Sequence, residues 1–349
     1  MPRYFFVQPD VTRPVGGNNV SLQLISHLCE AGYEAAALHA ASDYTYPFFE
    51  NSQPPYYYPP LSKVSYQFLG RKARFKAHLL DLITRRETGP NPLLTLRPDD
   101  VFMIPEFLYP EYSALFPDNK KVLFVQDVFG FCFALQRDLN TGAKALDDFE
   151  TTITTSVAAQ SAVTQFTGLD SLLVSQSVAR PRLDPTTRKK RQIAYMPRKR
   201  PKEIATLLGC LQGNPALEGW SFRKIENASP EELDAIFNES LIFLSFSYRE
   251  GFGLPPAEAM TAGCIVVGYT GVGGEEYFQH DTGFPILDGD IAAFARTMVE
   301  VVTEYDRDPT RLDQLRAHTA SAITDRYNPE TMRSTLLSAW EQIDKRISI

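Results

Sequence analysis

Short apolar runs alternate along this chain with longer stretches whose apolar residues recur every three or four positions. A strand covered on both faces reads as a near-continuous apolar run, and two parallel strands need a long connection between them, usually a helix. The alternation therefore points to an α/β fold whose parallel sheets carry helices on both faces. The first unit is the clearest. Tyr4 to Gln8 reads as a buried strand, Gly16-Gly17 as a turn that needs unusual backbone angles, and Asn18 or Asn19 as a helix cap. Val20, Leu24 and Leu28 then fall on one helix face, and Gly32 supplies the stop. Further strands are expected at Val101–Ile104, Val122–Val125, Ile153–Thr155 and Leu172–Val174, then at Ile193–Met196, Leu241–Phe246 and Ile265–Val267.

At 349 residues the chain exceeds the usual reach of one hydrophobic core, so two domains and a cleft are expected. The Pro- and Arg-rich stretch from Ala179 to Arg191 reads as the linker, which divides the chain at 1–178 and 179–328. A last helix, 329–349, starts at Asn328-Pro329-Glu330 and carries Met332, Leu336, Trp340 and Ile343 as its apolar stripe.

A net charge of −7 argues against a nucleic-acid partner, but the charge is unevenly spread. Between Arg180 and Lys202 stand ten basic residues and one acid. The part from Arg198 to Lys202 directly follows a strand, where anion sites are often built. A second basic stretch, from Lys63 to Arg86, follows Tyr56-Tyr57-Tyr58-Pro59-Pro60. It reads first as an exposed helix face; the alternative is a peripheral contact of the Tyr56–Arg86 region with acidic lipid head groups or an anionic acceptor. No apolar run approaches the roughly 20 residues that span a bilayer. The chain's start also lacks the apolar stretch of a signal peptide, so a cytoplasmic protein is expected. Cys29, Cys132, Cys210 and Cys264 are scattered singly and read as reduced core residues.

The run from Ser247 to Gly263 carries the chemistry. It follows the strand Leu241–Phe246. Gly251 and Gly253 let backbone approach a ligand, Pro255 and Pro256 suit a helix's first turn, and Gly263 fits its end. A helix N-terminus at the end of a parallel strand offers free amides and a partial positive charge, which suits a diphosphate. Glu258, inside the helix, suits ribose hydroxyls, and Glu250, on the loop, suits hydroxyls of a transferred sugar. Their charge alone would favour a helix N-terminus, yet that explains neither the glycines nor the seven residues between the two acids.

From Glu250 to Gly263 the chain resembles the signature of the family-4 (group 1) retaining glycosyltransferases of the GT-B fold, with two glutamates flanking Gly-Phe-Gly-Leu-Pro. The resemblance implies two Rossmann-like domains facing a cleft, with the last helix crossing back to the first domain. It implies donor binding by Gly251, Phe252, Gly253, Leu254 and Glu258. Gly16-Gly17 is similar to the glycine loop that approaches the donor phosphates and the acceptor. Arg198 is similar to the arginine that, with a following lysine, neutralises the leaving diphosphate; Lys199 and Lys202 both qualify, and Arg200 competes. The stretch Lys224 to Leu233 matches the part that holds the base, in part by backbone near Ile225. Gly273-Gly274-Glu275-Glu276 resembles a glycine-rich turn before a glutamate. Many relatives carry a His-Asp pair after the strand Lys121–Val125, and this chain has Gln126-Asp127. A glutamine can bond a sugar hydroxyl but cannot shuttle a proton near neutral pH.

The reaction so implied moves a sugar, with retention, from a nucleotide-diphosphate sugar to a glycan, lipid-linked or small-molecule acceptor. It needs no metal or other cofactor. Asp288-Gly289-Asp290 superficially looks like a metal-binding Asp-X-Asp, but it precedes the helical run Ile291–Val301, so Asp290 reads as a helix cap. The five histidines show no metal spacing, and no serine sits in a nucleophile-elbow pattern. An epimerase or phosphorylase of the same fold, or a non-catalytic accessory subunit, remains as the alternative.

Overall fold

The computed structural model describes residues 2–12, 15–49, 53–67, 89–178 and 188–348. The basic stretch after Gln67, which includes Arg71, Lys72 and Arg74 and runs to Arg86, lies outside them, as do linker residues 179–187. Two compact units divide the chain. One comprises Met1–Thr155, Gln160–Val174 and Arg333–Ile349, the other Ser156–Ala159 and Ser175–Met332.

The first unit holds β1 (Arg3–Val7), α1 (Gly16–Glu30), β2 (Glu34–His39), β3 (Tyr56–Tyr57) and α2 (Leu61–Gln67). There follow β4 (Val101–Pro105), α3 (Tyr109–Ser113), β5 (Lys120–Val125), α4 (Val128–Thr141), β6 (Thr151–Thr154), most of α5 (Val157–Thr167) and β7 (Leu172–Leu173). Its sheet runs β3-β2-β1-β4-β5-β6-β7, every pair parallel. The order reverses between β1 and β4, and such a reversal opens a crevice at the carboxyl ends of the two strands. Val20, Leu24 and Leu28 are buried as their spacing predicts.

The second unit holds β8 (Lys190–Tyr195), α6 (Pro201–Leu211), β9 (Ser221–Lys224), α7 (Pro230–Glu239), β10 (Ser240–Phe246) and α8 (Leu254–Thr261). β11 (Ile265–Tyr269), β12 (Phe284–Ile286), α9 (Ile291–Arg307) and α10 (Thr310–Arg326) complete it. The sheet order is β12-β11-β10-β8-β9, again all parallel, with the reversal between β8 and β10. Alternate strand residues feed two cores: Ile242, Leu244 and Val267 one, Ala194, Phe243 and Val266 the other. Both faces are thus covered, which is why these strands read as unbroken apolar runs.

The last helix, α11 (Pro329–Ile347), is capped by Asn328, whose Oδ1 accepts the Thr331 amide at 2.7 Å. From Arg333 onward it belongs to the first unit, where Trp340 packs on Tyr4 and Phe6 with ring centroids 5.2 and 6.0 Å away.

Three expectations need correction. Gly16 and Gly17 are the first residues of α1, and neither has a positive φ. Asn18 does not cap the helix: it lies inside it, and its Nδ2 donates to Pro9 O at 3.4 Å. A Cβ at 17 would sit 3.3 Å from Nε2 of Gln126, so a side chain there would press on the end of that glutamine, which would have to give by a few tenths of an ångström. The cysteines are all free, but only Cys264 is buried, and Cys210 lies exposed, off the Ile204, Leu207, Leu211 stripe of α6. Apart from these, Tyr56 and Tyr58 are half-buried against Phe5 and Phe116 at 5.3 and 5.5 Å.

Candidate active site

In the second unit the β8/β10 reversal sets two loops side by side, since Tyr195 of β8 pairs with Leu244 of β10. One loop carries Arg198 and Lys199, the other Glu250. The two meet directly: Lys199 Nζ lies 2.8 Å from Glu250 Oε1 and also donates to Tyr248 O at 3.3 Å. Arg198 is exposed, and neither it nor Lys202, exposed on the second position of α6, makes an ion pair among the described residues.

Arg200, the rival for the anion, is committed elsewhere. Its guanidinium is buried between Tyr248 and Tyr269, 4.5 and 4.7 Å from the ring centroids, and is bonded to Glu203 and Asp288. That pairing also occupies the first acid of Asp288-Gly289-Asp290. The second caps α9, accepting the Ala293 amide at 2.8 Å, as the sequence predicts. Among the described residues no group of three His, Cys, Asp or Glu is placed to hold a metal.

The loop between β10 and α8 is held by several independent fastenings. Arg249 sits in the left-handed region at φ 49°, where non-glycine residues are uncommon. Glu250 O accepts the Gly273 amide at 3.0 Å, and Tyr277 donates its hydroxyl to Gly253 O. Phe252 is buried against Tyr277 and Tyr327, at 4.9 and 5.0 Å. A Cβ on Gly273 would lie 1.9 Å from Gly251 O, so the glycine turn after β11 supports this loop by close backbone packing. Glu276, in that turn, is engaged by the Tyr327 hydroxyl at 2.9 Å and the Val157 amide at 2.8 Å. Tyr277, Tyr327 and Gly271, whose φ of 63° turns the chain back toward Ser247, were invisible in the sequence. Nothing in their spacing pairs them with residues 250–253.

α8 starts as expected. Gly253 is its cap at φ 86° and ψ 66°, no side chain caps it, and Gly263 (φ 74°) follows its end. Pro255 and Pro256 have no N–H, so the first turn offers the amides of Gly253 and Leu254. Glu258, one turn in, is half-buried; desolvation pushes its carboxyl up to about 7, with the charge of Asp234 adding to the rise. Ile225 is buried just after β9, and its amide donates to Tyr195 O at 2.9 Å, so its backbone has the carbonyl left to offer.

In the first unit Gln126 and Gly17 are brought together: Gln126 Nε2 donates to Gly17 O at 3.2 Å. Asp127 caps α4 through the amides of Phe129 and Gly130. Glu106, which no sequence motif singles out, directly follows the neighbouring strand β4. It is 5% exposed, and its Oε2 accepts the Gln126 amide at 3.3 Å. Burial pushes its carboxyl up to about 8 against the pull of the backbone amides it accepts.

Residues 222–316, which include Glu250, Glu258 and the whole of α8, match the family described as glycosyl transferases group 1. That match lies within the second unit. A curated alpha-1,6-glucosyltransferase of Actinobacillus pleuropneumoniae is 32% identical over 88 residues, which are 24% of this chain and 27% of that protein. The matched stretch is thus about a quarter of the relative's length. Over nearly its full length the chain shares its fold with solved glycosyltransferases. S. aureus TarM in complex with fondaparinux, alpha-GlcNAc-glycerol and UDP superposes with a TM-score of 0.67 at 10% identity, covering 97% of this chain and 99% of that one. Sucrose-phosphate synthase from Thermosynechococcus elongatus gives 0.65 at 13% identity, covering 98% and 99%. Anabaena HepE with UDP and glucose gives 0.63 at 13% identity, covering 98% and 100%. At these identities the likeness is one of fold, and the fold is GT-B: two parallel-sheet α/β domains.

Proposed function

We propose that this chain is a retaining, metal-independent hexosyltransferase that moves a sugar from a nucleotide-diphosphate sugar to a glycan, lipid-linked or small-molecule acceptor. The observation that carries the reading is the convergence of Lys199, Glu250 and the uncapped start of α8 at the β8/β10 reversal. In such a reaction positive charge develops on the sugar while the diphosphate leaves. Catalysis then depends on donors already aimed at the leaving oxygens. Arg198 and Lys199, with the Gly253 and Leu254 amides, are assigned to that charge, Glu250 to sugar hydroxyls, Glu258 to the ribose and the Ile225 carbonyl to the base. Gly251 and Phe252 shape the loop. In the first unit, Gly16, Gly17 and Gln126 are assigned to hydroxyl binding.

The relatives supply a first donor to try: HepE is solved with UDP and glucose, TarM with UDP, and the curated relative is a glucosyltransferase. UDP release from UDP-glucose, without acceptor, is the direct assay. Glu250→Ala should abolish it and leave the melting temperature nearly unchanged. Activity lost to a chelator and restored by manganese would overturn the metal-free assignment, and product anomeric configuration read by NMR would test retention. A cytoplasmic setting is part of the reading, supported by four unpaired cysteines. No described helix is long and apolar enough to cross a membrane. Binding to anionic vesicles tests peripheral contact by the Tyr56–Arg86 region.

A further inference from the structure

The Glu250 carboxylate sits where an anion would be held. One oxygen is 2.8 Å from Lys199 Nζ, and the other lies 3.8 Å from where a Cβ on Gly253 would stand, at the uncapped start of α8. Cation and helix start are the two features that favour a phosphate. The pair is not what holds the loop, because the backbone at Glu250 is fastened to Gly273 and that at Gly253 to Tyr277. The Glu250 side chain is 17% exposed and that of Lys199 31%, so the carboxylate is the sheltered end of the pair and the ammonium the end open to solvent.

Resting on the donor-site reading above, we infer that Glu250 competes with the diphosphate for Lys199, and that this exchange lets the site tell intact donor from spent nucleotide. When a nucleotide sugar binds, Lys199 turns to the diphosphate and Glu250 takes the hydroxyls of the sugar in return. When a nucleoside diphosphate without sugar binds, the freed carboxylate gains no such partner. Glu250 then retakes Lys199, which weakens the hold on the product and speeds its release. The same juxtaposition selects Lys199 over Lys202 as the lysine that works with Arg198.

The test is equilibrium binding of UDP, GDP and inorganic pyrophosphate to the full chain by calorimetry. Glu250→Gln keeps the shape and removes the charge; it should bind UDP and pyrophosphate on the order of threefold to tenfold tighter than wild type. Lys199→Met should bind them more weakly, and adding Glu250→Gln to it should bring no gain. In an Arg198→Met background the gain should persist. Unchanged or weaker product binding by Glu250→Gln overturns the inference. A gain that survives in the Lys199→Met background does so as well, since it would be only the loss of a nearby negative charge. Should Glu250→Gln fail to fold, Glu250→Ala is judged by the same outcomes. If wild type binds none of the three probes, the donor-site reading itself falls, an outcome distinct from binding that ignores residue 250.

Discussion

Lys199 and Lys202 are three positions apart, yet the structure separates them: one reaches Glu250, the other lies on the exposed first turn of α6. Lys199→Met is expected to lower kcat/KM a hundredfold or more, as loss of a transition-state donor does, and Lys202→Met less than about threefold. The raised carboxyls make pH predictions. Glu258 gains charge as pH rises through about 7, so nucleotide-sugar affinity should improve between pH 6 and 8, and Glu258→Gln should flatten that profile in a titration. Glu106 concerns stability. Its folded pKa, about 8, lies above the ordinary 4.5, so its contribution is full below about 4.5 and lost as pH climbs through about 8. Wild type should therefore lose stability between pH 5.5 and 8.5, by at most about 1.4 kcal/mol per pH unit from this group. Glu106→Gln should show a shallower fall in melting temperature.

At the scale of elements, the start of α8 depends on two glycines for different reasons. Gly253 has a positive φ, so an alanine there is strained by about 1–2 kcal/mol and also crowds the Tyr277 hydroxyl. Gly273 has no such angle; its replacement by alanine would drive a methyl into the Gly251 carbonyl and force the loop before α8 to move. Gly273→Ala is therefore expected to cost at least about tenfold in nucleotide affinity, a larger loss than that from Tyr277→Phe, which removes one hydrogen bond worth roughly 1 kcal/mol. Side-by-side calorimetry of the two variants checks the order. α7 begins inside the stretch Lys224–Leu233 with a capping box, Ser229 with Glu232, and Ser229→Ala should cost about 1 kcal/mol of stability in a denaturant titration.

Across the whole molecule, the chain's last helix completes the core of its first unit. Trp340 is fully buried against Tyr4 and Phe6, while Asp344 receives the hydroxyls of Tyr4 and Tyr33. Trp340→Ala should destabilise the first unit by about 3–5 kcal/mol in denaturant titrations. Ending the chain before Arg333 should leave that unit unable to fold, although every one of its strands is still present.

The sequence by itself determined the elements and the kind of sheet, because a strand covered on both faces must be apolar throughout and a helix with one buried face repeats every three or four residues. It also determined the loop and start of α8, since Gly253, Pro255, Pro256 and Gly263 answer to local backbone geometry that any chain must satisfy. The strands β2, β3, β9 and β12 were less legible: β9 is exposed, and β3 has only two residues, so neither shows an apolar run. Only the tertiary structure decided which side chains meet. Strand order set Lys199 on Glu250 across about fifty residues of chain, committed Arg200 to Asp288, laid Gln126 on Gly17 and buried Glu106 beside it. Pairings of that kind follow from where β8 lies beside β10 and β4 beside β5, and no spacing along the chain encodes them.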